Sequence, residues 1–194
     1  MKNSILLIFL LYSFCVVAQI DTEHLEVGDK APEITGIDQF DTKINSTEIL
    51  KNKKIILVFY RGNWCPYCRK HLASLQENLE ELSKKGLFVI VVTPEKVEKI
   101  QETTEKLEAT FSIIHDVDNS IMENYKVAFT VNEENVSNNF GFTQRIIAKY
   151  NTENSNTLPV PATYLIDEEG KIIYVHYDPD HHERSDFKEI IKLI

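Results

Sequence analysis

The chain has 194 residues, 43% of them hydrophobic and 26% charged, enough for one domain with a core of its own. Its formal net charge of −9 argues against nucleic acid or an anionic membrane surface as the main partner.

Residues 1–18 read as a secretory signal peptide. Lys2 is followed by an apolar run from Ile5 through Phe14 and by Val16-Val17-Ala18 before Gln19. A transmembrane helix needs roughly 20 apolar residues, more than this run supplies. An uncleaved anchor is one alternative. A lipoprotein signal ending at Cys15 is another, and bulky Phe14 opposes it. Cleavage after Ala18 leaves Cys65 and Cys68 as the cysteines of an exported chain, periplasmic or secreted, with no stable membrane insertion.

Residues 19–30 are a polar lead-in, and residues 31–194 are read as one domain. Short strands are expected at 33–37 and 42–45, with a turn at 38–41. "KKIILVFY" is a continuous apolar run, as in a strand buried on both faces. A helix follows, with Leu72, Leu75, Leu79 and Leu82 on one face, Lys84 and Lys85 in its last turn and Gly86 as its stop. "LFVIVVT" is the second buried strand. Thr93 then reads as an N-cap with Pro94 at the first helical position, and Val97, Ile100 and Leu107 face inward. "FSIIHD" is a third strand, after which Asp118 caps a short helix carrying Met122 and Tyr125.

From 126 to 158 the pattern weakens into polar loops around a helix at 140–150. "ATYLIDEEGKIIYVHY" is a hairpin turning at Asp167-Glu168-Glu169-Gly170, and "RSDFKEIIKLI" is a terminal amphipathic helix. The order implies an α/β fold: a central mixed β-sheet flanked by helices, with parallel crossovers first and a C-terminal antiparallel hairpin last.

The chemistry sits in "FYRGNWCPYCRKHLASL", where Cys65 and Cys68 stand at a strand-to-helix junction. Three readings compete. Zinc needs about four ligands. Cys65 and Cys68 supply two, His71 is near in sequence, and His181-His182 lies far along the chain. A structural disulfide would close a very small loop and remove little unfolded-state entropy. A reacting pair fits best. Free backbone N–H groups and the positive helix end favour a Cys65 thiolate, and Arg61, Arg69 and Lys70 add positive charge. Pro66 suits the helix start, Cys68 lies one turn on, and Trp64 and Tyr67 flank the thiol with flat surface or simply pack.

"LVFYRGNWCPYCRKHLASLQ" resembles the active-site segment of the AhpC/TSA family, peroxiredoxin-like proteins of thioredoxin fold. "VGDKAPEITGIDQFDTKINSTEILKNKKIILVFY" and "LPVPATYLIDEEGKIIYVHYDPD" resemble that family's beginning and end. The resemblance implies a thioredoxin-like fold without cofactor. Cys65 would be the nucleophile and Cys68 the resolving thiol, joined in a redox-active disulfide. It further implies a cis peptide bond before Pro161, with Val160 presenting its backbone to a partner.

Two departures stand out. Val58 and Gly62 occupy the positions where the family pattern carries Pro and a Thr or Ser. The family's arginine has only a loose counterpart in Arg145, which reads better as a surface residue. The implied activity is reduction of a hydroperoxide, with recycling by a thioredoxin-like protein. The alternatives are disulfide exchange with exported proteins and a non-enzymatic thiol or metal-binding module.

Overall fold

The computed structural model describes residues 24–132, 140–151 and 156–194, so the signal segment and Cys15 lie outside the described residues. Thr35–Ile37 (β1) and Lys43–Asn45 (β2) form an antiparallel pair, followed by one turn of helix, Ser46–Ile49 (α1). The Asn45 side chain caps that turn by accepting from the Glu48 N–H.

Lys54–Phe59 (β3), the 19-residue helix Pro66–Lys84 (α2) and Leu87–Thr93 (β4) make the first parallel crossover. Val97–Leu107 (α3) and Ser112–His115 (β5) make the second. Ser120–Asn124 (α4), Ala128–Thr130 (β6), Phe140–Tyr150 (α5) and Thr157–Pro159 (β7) follow, with β6 and β7 paired antiparallel. Ala162–Ile166 (β8), Ile172–Tyr177 (β9) and Phe187–Lys192 (α6) close the chain. The central sheet runs β5-β4-β3-β8-β9, parallel on one side of β3 and antiparallel on the other.

Alternation along β3 divides the core. Ile56, Val58 and Tyr60 face α2 and α6 and meet Leu72, Leu75, Leu82 and Phe187. Ile55, Leu57 and Phe59 face the other way and meet Met122, Tyr125 and Tyr164. Gly86, at φ +80, ends α2 in the left-handed region open to glycine.

Four local expectations are corrected. The helix after β4 starts at Val97, not at Pro94. Glu95 is held in a backbone bridge with Asn151, and the Lys96 N–H reaches the Tyr150 carbonyl at 2.8 Å, so extended pairing takes the first turn. Val97, at the N-terminal edge of α3, is exposed while Ile100 is buried. Asp116 rather than Asp118 supplies the main cap of α4: its carboxylate accepts from the N–H groups of Ile121 (3.1 Å) and Met122 (2.9 Å). Finally, the lead-in is part of the fold from about Leu25. Leu25 packs on the core, and Gly28 and Asp29 exchange backbone bonds with Ile172.

Candidate active site

Strand β3 ends at Phe59, and the chain crosses residues 60–65 before α2 begins. Cys65 is the N-cap of α2, in extended conformation, and Pro66 opens the helix. Cys65 and Cys68 are both free and buried, at 2% and 1% exposure. The Cys68 thiol donates to Cys65. That hydrogen bond is the main cause holding the Cys65 thiol down at about 5, with the Cys68 backbone, Arg61 and Arg184 adding to it against the opposing effect of burial. The same hydrogen bond, together with burial, pushes Cys68 well above the ordinary thiol range. The pair therefore divides into one thiolate and one retained thiol.

Arg184 carries no motif or spacing signal in the sequence. It reaches the site from the segment between β9 and α6, and its Nη2 donates to the Cys68 sulfur at 3.5 Å. Its Nη1 is anchored on the His181 carbonyl at 2.7 Å. Arg145, by contrast, is exposed on α5. Arg61 is buried beside the thiols, its guanidinium 5.0 Å from the Trp64 ring and its Nε without a hydrogen-bond partner. Desolvation lowers its pKa, while the charge of Cys65 and Cys68 opposes that fall.

Arg69 has another role from the one expected of it. Its Nη1 donates to the Asn63 carbonyl at 2.6 Å, because its place one turn into α2 turns it back over the preceding loop. Trp64 is half-buried and bridges two cores rather than offering a free flat surface. Tyr67 is exposed and meets the edges of His181 and His182, with ring centroids at 6.1 and 4.6 Å. The two histidines are far from the thiols in sequence only: the turn after β9 returns them to the mouth of the site. Among the described residues, Asp180, His181 and His182 bring three potential metal-ligand atoms within 4.8 Å of one another. His71 is taken up elsewhere. It bonds Ser185 at 3.0 Å and stacks on Phe187, and burial lowers it to about 3, so it is neutral.

The expectation for Pro161 is also corrected. No described peptide bond is cis, so the Val160–Pro161 bond is trans. The Val160 N–H is used internally, donating to the Val127 carbonyl at 2.7 Å, and the chain runs extended into β8. The trans form is the lower in energy for X–Pro by roughly 0.5–1 kcal/mol, and this register accepts it.

Behind the loop lies a group with no sequence signal of its own, Glu95. It is fully buried, accepts from the Asn63 N–H at 2.8 Å and from the Tyr60 hydroxyl at 2.9 Å, and is raised to about 7 by desolvation. Gly62 lies between it and Trp64. A Cβ on Gly62 would stand 2.3 Å from the Trp64 indole nitrogen and 2.9 Å from the Glu95 carboxylate, at a φ of +152.

The AhpC/TSA family pattern matches residues 27–175. A protein named as a peroxiredoxin, bcp, from Coxiella burnetii is 31% identical over 148 residues, which are 76% of this chain and 85% of that relative. Peroxidoxin BcpB from Mycobacterium tuberculosis superposes with a TM-score of 0.66 at 16% identity, covering 87% of this chain and 96% of that one. The thioredoxin domain of a thiol-disulfide oxidoreductase from Bacteroides vulgatus superposes at 0.58 with 20% identity, covering 87% and 98%. The two structures share the thioredoxin-like fold described above.

Proposed function

Because this chain belongs to the AhpC/TSA family, we propose that it is a thiol peroxidase, with Cys65 the nucleophile and Cys68 the resolving thiol. The observation that carries this is the division of the pair. Cys65 is held at about 5 and is a thiolate at neutral pH, while Cys68 keeps its proton beside it. The Cys65 thiolate attacks one oxygen of a hydroperoxide. An S–O bond forms, the O–O bond breaks, and the alkoxide or hydroxide leaves and takes up a proton, giving the Cys65 sulfenic acid. The Cys68 sulfur then attacks Cys65. The S–S bond forms, the S–O bond breaks and water leaves. An external thioredoxin-like dithiol protein reduces the Cys65–Cys68 disulfide and is itself oxidised. No cofactor takes part.

The burial of Cys65 supports a small oxidant, since a hydroperoxide reaches a buried cysteine with less rearrangement than a protein disulfide needs. Gly62 favours a second reading. The hydroxyl that the family pattern carries there is missing, which suits disulfide exchange with exported protein substrates.

Stopped-flow oxidation of the reduced protein by hydrogen peroxide and an organic hydroperoxide decides between them. Oxidation far faster than a free thiol, lost in Cys65→Ser and stalling at sulfenic acid in Cys68→Ser, is expected. Oxidation no faster than a free thiol would leave disulfide exchange as the function. Export belongs to the same proposal: a mature N-terminus at Gln19 is expected, and an intact Met1 on exported protein would overturn it. Among the described residues, no helix is long and apolar enough to cross a membrane.

A further inference from the structure

We propose that Glu95 is a positioning residue for Cys65: its carboxylate clamps the Asn63 peptide and so holds the 61–64 loop in the conformation that presents the thiolate. The clamp has two jaws. Glu95 Oε1 accepts from the Asn63 N–H at 2.8 Å, and Arg69 Nη1 donates to the Asn63 carbonyl at 2.6 Å. The two peptide groups flanking the Asn63 Cα are thus gripped, the N–H of one by an acid and the carbonyl of the next by a guanidinium, and hydrogen bonds to charged groups are the strong ones. Trp64 and Cys65 follow directly, and the Cys65 N–H closes the loop on the Gly62 carbonyl at 3.1 Å.

Glu95 is fully buried and has no ion-pair partner among the described residues; its Oε1 accepts from this loop, and its Oε2 accepts from the Tyr60 hydroxyl just before it. Gly62 is what permits the approach, because any side chain there would meet Trp64 and the carboxylate. The segment between β6 and β7 provides the shielding. Asn151 pairs with the Glu95 backbone, and Val131, Ile147 and Leu158 form a small core against Trp64.

A buried carboxyl at about 7 changes charge in the range where the thiol works. The groups facing it are few. Tyr60 beyond β3 donates to it and Lys99 of α3 favours its ionised form, whereas Glu102 of α3 opposes it. From the residue after α5 comes uncharged Asn151, and from α2 comes Arg69 through the Asn63 carbonyl. Ionised, Glu95 makes a charge-assisted bond to the loop; protonated, it makes a weaker neutral one.

The inference rests on Cys65 being the reactive thiol, and its test needs no peroxide. The rate of Cys65 alkylation by iodoacetamide is followed against pH for the reduced wild type, Glu95→Gln and Tyr60→Phe. The wild type is expected to show the thiol's own inflection near 5 and a second rise near 7. Glu95→Gln should keep the first, lose the second and react about fivefold more slowly above it, the difference between a charge-assisted and a neutral hydrogen bond. Tyr60→Phe keeps the clamp but loses a donor that favours the carboxylate, so its second inflection should move upward. One shared profile in all three proteins would overturn the proposal, and so would a Tyr60→Phe inflection that does not move if Glu95→Gln fails to fold. If peroxide oxidation proves slow while these profiles hold, the peroxidase reading fails and this one stands.

Discussion

At the scale of the residue, the thiolate is made by neighbours that can be ranked. The Cys68 thiol is the largest contributor to the low Cys65 pKa, ahead of Arg61 and Arg184. Cys68→Ala is therefore expected to raise the Cys65 pKa most, by about 2 units. Arg61→Met and Arg184→Met should each raise it by about half a unit to one unit. Titration by thiolate ultraviolet absorbance checks the order, and an arginine variant exceeding Cys68→Ala would refute it. Gly62 gives a second prediction at this scale. Restoring the family's hydroxyl with Gly62→Thr places a branched side chain on Trp64 and Glu95 at a φ of +152. The variant is expected to lose about 2 kcal/mol of stability and to alkylate more slowly, rather than to gain peroxidase rate. A faster, equally stable Gly62→Thr would show that the loop has room the geometry denies it.

Two elements meet at the site, and each does a different job. The N-terminus of α2 carries the thiols, and its unpaired N–H groups favour negative charge at Cys65. The β6–α5–β7 segment shields the loop behind them through Val131, Ile147 and Leu158. Ile147→Ala is expected to cost about 2–4 kcal/mol. By admitting water it should also lower the Glu95 carboxyl from about 7 toward the ordinary carboxylate range. Carboxyl-carbon NMR titration would detect the change, and an unchanged Glu95 would assign its desolvation to the strands instead. These elements differ in how far the sequence disclosed them. The apolar runs of β3 and β4, the leucine face of α2, the closing hairpin and the Cys65–Cys68 pair announce themselves through local periodicity and spacing. Arg184 does not, because it is brought to Cys68 across 116 positions by the return of the chain after β9. Glu95 has no spacing signal of its own, and it is buried where its backbone bridges to Asn151 and its carboxylate meets Asn63 and Tyr60. The same bridge explains why Thr93 and Pro94 fail to start a helix, since tertiary pairing overrides a good local cap.

For the whole molecule, the same groups couple stability to pH with opposite signs. Cys65 is depressed in the folded state to about 5, against an unfolded thiol near roughly 8.5. Between those values the unfolded chain holds a proton that the folded chain has lost, so stability rises with pH across that window and the gain is lost as pH falls through 5. His71, neutral in the fold and lowered to about 3, acts in the same direction at lower pH. Glu95, raised to about 7, acts in reverse, so that stability falls as pH rises from the unfolded carboxyl value toward 7. The raw pH curve mixes all three, and a difference curve separates them. Reduced wild type minus Cys65→Ser cancels His71 and Glu95 and leaves the thiolate. This difference is expected to grow by about 3 kcal/mol between pH 5 and about 8.5, less than the full shift allows because Cys68 is coupled to the same proton. Urea unfolding of both proteins at matched pH measures it. Oxidation to the Cys65–Cys68 disulfide removes the thiolate, so the oxidised wild type should lose the part of the slope that Cys65 contributes between pH 5 and about 8.5 and keep that of His71 and Glu95. Parallel curves in both redox states would mean that Cys65 is not a thiolate in the folded protein, and the division of charge on which its reactivity depends would be absent.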